Sequence, residues 1–133
     1  MNRPVIVLFI VAGIIAVCVV ARVRVDNAHK VVHAYGQSIL AEVQAENAPG
    51  VRAVVADLQE YWRGEQRYLV IFFRHTEMDE ISRAVSKLEA HAQHEEWGDL
   101  AAEMNVVLWQ IDHIWENERI KPESILATAP FVD

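Results

Sequence analysis

The run of residues 5–21, VIVLFIVAGIIAVCVVA, constrains the fold of this chain more than any other feature. It contains no charged or strongly polar side chain, and Arg3, Arg22 and Arg24 flank it. At about 1.5 Å per residue, a helix of this length just crosses the hydrocarbon core of a bilayer. The two arginines after it can extend their aliphatic stems towards the headgroups, which lengthens the span to residue 25. We therefore predict a flank at 1–4 and a transmembrane anchor at 5–25.

A cleaved signal peptide is the alternative interpretation of the same residues. Val19, Val20 and Ala21 give a tolerable cleavage site, and cleavage would release a secreted helical protein. The apolar run is longer than the usual core of a signal peptide, and no helix breaker precedes the site. These features favour an uncleaved, single-pass anchor in the cell membrane. The basic residues on its two sides nearly balance, and we expect the domain outside the cytoplasm because short N-terminal anchors usually orient in this way.

The remainder of the chain is acidic. After residue 34 there are 8 Lys and Arg against 18 Asp and Glu, a net charge of −10. Such a surface repels phosphate backbones, so we expect no nucleic acid partner. The basic residues beside the anchor fit anionic headgroups instead, which makes the lipid bilayer the first expected partner. Cys18 is the only cysteine, so no intrachain disulfide forms.

Apolar residues recur at steps of three and four throughout residues 28–118, which is typical of amphipathic helices. The clearest stripe is Met78, Ile81, Val85, Leu88 and Ala92. We predict an all-α fold in which one transmembrane helix precedes an antiparallel bundle of about four helices. Whether the span runs unbroken into a helix at 28–46 is left open by the sequence. The bundle is assigned to 26–123 and a flexible tail to 124–133, because Pro122 should end the last helix.

Two features refine this organisation. NAPG at 47–50 is the one turn cluster inside the domain, and YLVIFF at 68–73 is interpreted as the end of a long helix. The last helix carries a second apolar row of Ala102, Val106 and Trp109. That row predicts burial on two sides and a central position in the bundle.

The stretch FFRHTEMDEI at 72–81 concentrates one histidine and three acids. Thr76 and Asp79 fit a capping box, in which the hydroxyl and the carboxylate satisfy free amides at a helix start. Glu77 would lie in the first turn, where the helix dipole favours anions. An alternative uses His75 and Glu77 with a distant acid to bind a divalent ion. The capping interpretation accounts for most of these residues, so we predict no metal site.

The other histidines are assigned no role. His29 and His33 are four residues apart, a spacing that can bind zinc, but no third ligand lies near them in the sequence. We interpret them as interfacial or solvated. His91 and His94 are placed in a hairpin loop. No paired Glu-x-x-His, nucleophile motif or phosphate loop occurs, so neither an enzyme nor a cofactor is expected.

An apolar anchor, a tryptophan before a Phe-x-x-His-x-Glu stretch, and a close of ENERIKPESIL resemble a family of small membrane-anchored helical proteins of unknown function from Gram-positive, spore-forming bacteria. Matching positions are Trp62, Phe72, His75, Glu77 and Glu118, whereas Ser124 replaces the usual Asn. The resemblance implies no activity, but it suggests a multi-span membrane protein as partner.

The predicted function is therefore a membrane-tethered helical module that binds a membrane or envelope protein. The anchor and the lack of any catalytic constellation motivate this prediction. The alternatives are a metal- or pH-sensing domain that uses His75 and its acids, and a secreted helical protein. The sequence does not indicate an oligomeric state.

Overall fold

The structure is a computed structural model that describes residues 2–118 and consists of four α-helices. They are α1 (Arg3–Gln44), α2 (Ala48–Phe72), α3 (His75–Gln93) and α4 (Trp97–Glu118). No strand occurs among these residues, so the all-α prediction is confirmed. Pro122, the end of the bundle at 123 and the tail at 124–133 lie outside the described residues.

Helix α1 is continuous over 42 residues and has two unlike halves. Residues 2–20 are all exposed, whereas from Ala21 onward one face is buried against the other helices. The buried positions recur at steps of three and four, so they form a single stripe: Ala21, Val25, Ala28, Val32, Gly36 and Ile39. The apolar segment, residues 5–21, therefore continues without a break into the first helix of the bundle, a point that the sequence left open.

The four helices form a ring in which each packs against two neighbours. Helix α1 contacts α2 and α4, and α3 contacts the same two helices. Short turns join successive helices, so they run antiparallel around one apolar core. Helix α4 is therefore not central. Its second apolar row was wrongly assigned to the core, because Val106 and Trp109 are 42% and 66% exposed.

Two of the three turns share one geometry. In each, a glutamate adopts the left-handed conformation: Glu46 at φ 56° and Glu95 at φ 54°. Paired amide–carbonyl bonds close both turns, for example Glu46 N to Val43 O and Asn47 N to Glu42 O. This is the Schellman ending, which usually has glycine at the left-handed residue. The NAPG cluster follows the first turn: Asn47 caps α2, and residues 48–50 are already helical.

The turn between α2 and α3 is the shortest. Helix α2 ends at Phe72, Phe73 is extended, and Arg74 is the N-cap of α3 without a side-chain hydrogen bond. The capping-box prediction for Thr76 and Asp79 is thus wrong, because α3 begins at His75 and places Thr76 inside the helix. A hydroxyl inside the first turn cannot cap the helix that contains it.

Gly36 sets the approach of α1 to α4. A Cβ built there would lie 3.0 Å from Leu108 Cδ2 and 3.2 Å from Met104 Cε. At Gly64, an exposed position inside α2, a Cβ would have no neighbour within 4 Å. The same substitution at Gly36 and at Gly64 therefore distinguishes the effect of α1–α4 packing on stability from the effect of helix propensity.

We predict that Gly36→Leu destabilises the bundle by about 1–3 kcal/mol, because the added side chain overpacks the α1–α4 contact. The matched control Gly64→Leu should stabilise it by up to about 1 kcal/mol, since leucine is the better helix former. Thermal unfolding followed by circular dichroism measures both. Equal effects of the two substitutions would contradict the close α1–α4 packing.

Candidate functional site at the proximal end of the bundle

One end of the bundle lies next to the apolar segment, and we call it the proximal end. It comprises 22–33 of α1, 65–72 of α2, 74–78 of α3 and 112–117 of α4. Helix α1 runs away from the apolar segment and α2 returns, which brings Phe72 back beside Cys18 and Arg22. The α2–α3 turn and the end of α4 therefore face the same boundary.

Aromatic and basic side chains surround this boundary. Tyr68 and Ile71 on α2 are 48% and 72% exposed, and Phe72 is half-buried beside them. The Arg24 guanidinium lies 4.0 Å from the centre of the Tyr68 ring, within cation–π range. We call Arg24, Tyr68, Ile71 and Phe72 the collar. Its mixture of rings and cationic groups is typical of residues at a membrane–water interface.

Arg24 also binds a carboxylate inside the bundle. Its Nη1 lies 3.5 Å from Oε2 of Glu65, whose side chain is only 10% exposed. Glu65 occupies the buried stripe of α2 between Trp62 and Leu69, where an apolar residue would be usual. A carboxylate at such a position requires a cationic partner, because an isolated buried charge is costly.

Tyr61 lies one helical turn before Glu65 and responds to the same environment. Burial raises the pKa of Tyr61 to about 12, and the nearby Glu65 carboxylate adds to this effect. Because the folded-state pKa exceeds the unfolded value of about 10, this group stabilises the fold fully below pH ~10. That contribution is lost as the pH rises towards 12.

A second polar group, the histidine cluster, consists of His29, His33 and Asp112. Nε2 of His29 lies 2.6 Å from Asp112 Oδ1, and Nε2 of His33 lies 2.7 Å from the same oxygen. The two imidazole rings are 4.6 Å apart. The interpretation of these histidines as interfacial or solvated residues is therefore corrected, since α4 brings Asp112 to both.

Trp115 and Asp26 support the histidine cluster from one side. The Trp115 ring stacks on His29 with centroids 4.5 Å apart and planes 15° from parallel. Its indole N–H donates to Asp26 Oδ1 at 3.1 Å, and Lys30 lies 3.3 Å from Asp26 Oδ2. Hydrogen bonds from Trp115 and then Lys30 lower the pKa of Asp26, so it remains an anionic acceptor.

The residues singled out by the sequence lie elsewhere at the proximal end. His75 is exposed on the first turn of α3, and Glu77 borders a shallow hollow with Phe73, His113 and Asn117. Among residues 2–118, two groups bring three potential metal ligands together, and neither contains His75 or Glu77. The prediction of no metal site at His75 and Glu77 stays a prediction.

His91 and His94 lie where α3 ends rather than in a free loop. His91 belongs to the last turn of α3, and His94 is its C-cap. His91 Nδ1 is 3.4 Å from Glu96 Oε2, and Asp99 completes the second group of potential ligands. This group lies at the distal end of the bundle.

Comparison with known proteins places the chain in one family. Residues 23–125 match the family described as a domain of unknown function, DUF4363. The chain belongs to the DUF4363 family. No curated protein and no solved structure matches it. The resemblance to an uncharacterised family is thereby confirmed, whereas membrane anchoring and an origin in Gram-positive spore-formers stay predictions.

The DUF4363 match has a physical counterpart in the structure. It begins at Val23, two residues after the first buried position of α1, and therefore covers the bundle rather than the apolar segment. Trp62, one of the residues that carried the resemblance, is a core residue whose indole donates to Ser82 Oγ at 2.9 Å. The position of Trp62 thus reflects packing between α2 and α3.

We predict that Arg24→Met destabilises the DUF4363 bundle by about 1–2 kcal/mol, because Glu65 is left as an unpaired buried carboxylate. The loss stays small because Arg24 is itself 39% exposed, so solvent screens its interaction with Glu65. The double variant Arg24→Met/Glu65→Leu should recover most of this loss. Thermal unfolding in detergent micelles measures it, and additive losses in the double variant would show that the pair is not coupled.

Proposed function

We propose that this DUF4363 protein is a single-pass membrane protein that holds a four-helix bundle at the bilayer surface and presents it to a membrane or envelope protein. The observation that carries the proposal is the continuity of α1. One helix supplies both an apolar segment exposed on all sides and a quarter of the bundle.

The exposed side chains in the first half of α1 support the proposal that this segment is surrounded by lipid. Large apolar side chains cover every side of it, including Leu8 at 68% and Phe9 at 71% exposure. A stable water-soluble protein rarely exposes a continuous apolar surface of this size. Residues 5–21 extend about 26 Å as a helix, close to the thickness of the hydrocarbon core.

The position of the collar supports the proposal that the bundle rests on the membrane surface. Tyr68 and Ile71 project from α2 at the level where the apolar segment ends, beside Phe72 and the cationic Arg24. Aromatic rings favour the headgroup region because one part is apolar and another tolerates water. The collar would therefore contact the outer edge of the same bilayer that α1 crosses.

Because no flexible linker separates the apolar segment from the bundle within α1, the bundle can bind a partner only close to the membrane. The helical stretch 21–44 rises about 36 Å, so the bundle stays within that distance of the bilayer. Movement in the membrane plane concentrates the module near other membrane proteins, which raises the effective concentration for binding. A membrane or envelope protein is accordingly the partner class we propose.

The surface we assign to that partner is the exposed apolar row of α4. Beyond Val23, the described residues with large exposed apolar side chains are Tyr68 and Ile71 in the collar, and Val106 and Trp109 on α4. Glu77 and Glu80 border Trp109, and its ring stacks on His113 at 5.5 Å. An exposed apolar side chain that is bordered by two acids is complementary to a partner surface that is apolar with a basic rim.

We place the bundle outside the cytoplasm in this proposal. Arg3 precedes the apolar segment and Arg22, Arg24 and Lys30 follow it, so the basic flanks do not set the orientation. The placement rests on the net charge of −10 after residue 34. The acidic bundle then faces the envelope side, where a basic partner surface would complement its net charge.

The experiment that tests the proposal starts with native membranes. The full-length protein should sediment with membranes and resist extraction by alkaline carbonate, and protease added to intact cells stripped of their wall should digest the bundle. A photo-crosslinking residue at position 109 should then capture one membrane or envelope protein in a defined ratio.

A second, exposed position serves as the control that tests whether the crosslink at 109 is specific. Asp57 is also exposed, but it lies on α2, which does not pack against α4. A crosslinker at 57 should not capture the protein that is captured at 109. A chain that remains in the aqueous fraction, or equal products at both positions, would contradict the proposed module.

A further inference from the structure

We propose that His29, His33 and Asp112 form a binding site for one divalent transition-metal ion, with zinc as the representative. The site joins α1 to α4 just above the apolar segment. Its geometry does not depend on whether that segment lies in a membrane, so this inference stands apart from the proposed function.

The two histidine side chains already contact the same carboxylate oxygen. They are four residues apart on α1, which places both rings on the same face, one helical turn apart. Their Nε2 atoms lie 2.6 and 2.7 Å from a single oxygen, Asp112 Oδ1. A neutral imidazole carries one N–H, so each ring must hold its proton on Nε2 to donate to this oxygen.

A metal ion would take the place of those two protons at Nε2, and each ring would carry its proton on Nδ1 instead, so both imidazoles stay neutral. Zinc binds imidazole nitrogen at about 2.0–2.1 Å and carboxylate oxygen at about 2.0–2.2 Å, which puts tetrahedral ligand atoms about 3.3 Å apart. The nitrogen–oxygen distances in the histidine cluster are shorter than this by less than about 1 Å. Small side-chain rotations are therefore sufficient to admit the ion, with no change in the helices.

The exposure of the cluster suits an ion that exchanges with solvent. The side chains of His29, His33 and Asp112 are 22%, 31% and 41% exposed. Three protein ligands leave one tetrahedral position open, and here that position is accessible to water. Two imidazoles and one carboxylate favour zinc, iron(II), cobalt or nickel over calcium or magnesium, which prefer oxygen ligands throughout.

One ligand is oriented before any ion arrives. Trp115 stacks flat on the His29 ring, and Asp26 accepts the indole N–H while also binding Lys30. Supporting contacts of this kind fix the rotamer of a ligand and increase metal affinity. The cluster is thus held by residues of both helices that contribute its ligands.

The second group of potential ligands provides a natural comparison. His91, Glu96 and Asp99 are spread over the α3–α4 turn, with one nitrogen ligand and a longer 3.4 Å contact between His91 and Glu96. Glu96 and Asp99 do not converge with a second imidazole. We therefore assign the metal site to the histidine cluster and use His91 as the control.

The test measures zinc binding by calorimetry on the full-length, metal-stripped protein in detergent micelles. We expect one equivalent of zinc to bind at pH 7.5 and to raise the midpoint of thermal unfolding, because the ion binds the folded state. Binding should weaken at least tenfold in both His33→Gln and Asp112→Asn, and remain within twofold in His91→Gln. Cobalt should give the visible absorption of a tetrahedral complex.

Two further readouts keep the test decisive. Metal-free Asp112→Asn is nearly isosteric, so its helical circular dichroism should equal that of the unchanged protein and exclude misfolding as the cause of lost binding. Affinity should fall on acidification, because protons compete with the metal ion for the imidazole nitrogens. Undetectable zinc binding at millimolar concentration, or binding unchanged in both cluster variants, would overturn the proposal.

Discussion

The structure depends on the continuity of one helix through two environments. Helix α1 cannot break between residues 3 and 44 without separating the apolar segment from the bundle, and after Pro4 no proline occurs before Pro49. Up to residue 20 its side chains are exposed, and from Ala21 its stripe of small and branched residues packs into the core. A helix satisfies its own backbone hydrogen bonds, so it is the element that can pass from lipid to a protein interior.

The polar groups of the proximal end follow from this arrangement. Near residue 21, the side chains of α1 change from exposed to packed within the bundle, and Arg24, just beyond this point, pairs with the buried Glu65. Roughly one and a half turns and two and a half turns after Arg24, His29 and His33 contact Asp112 from the returning helix α4. Ion pairs and hydrogen bonds thus connect α1 to both of its neighbours at the level where the bundle begins.

Local patterns predicted the helices but not the way they meet. The stripe of Met78, Ile81 and Leu88 specified the buried face of α3, because apolar periodicity acts within one helix. The turns were placed less well, since Glu46 and Glu95 occupy left-handed positions where glycine is the recognisable signal. The cap at Thr76 failed because the N-cap of α3 is Arg74, so the helix begins two residues earlier than the motif suggests.

The candidate site was only partly visible for a related reason. The spacing of His29 and His33 was apparent in the sequence, but Asp112 lies about 80 residues away and only the antiparallel return of α4 brings it close. Glu65 was likewise unremarkable until Arg24 was seen beside it. The exposed Trp109 row was assigned to the core because periodicity shows that a helix has two apolar faces, but not how many neighbours it has.

The distance between two spin labels tests the continuity of α1 most directly. One nitroxide is attached to the native Cys18 in the apolar segment, and the other to a cysteine introduced at the exposed Gln37 in the bundle. In lipid nanodiscs, an unbroken helix predicts one narrow distribution of distances. Its centre should lie at about 28 Å between the two labelled positions, to which the length of the label arms is added. A broad distribution, or a peak far from this distance, would show that the apolar segment and the bundle are hinged and would contradict the account.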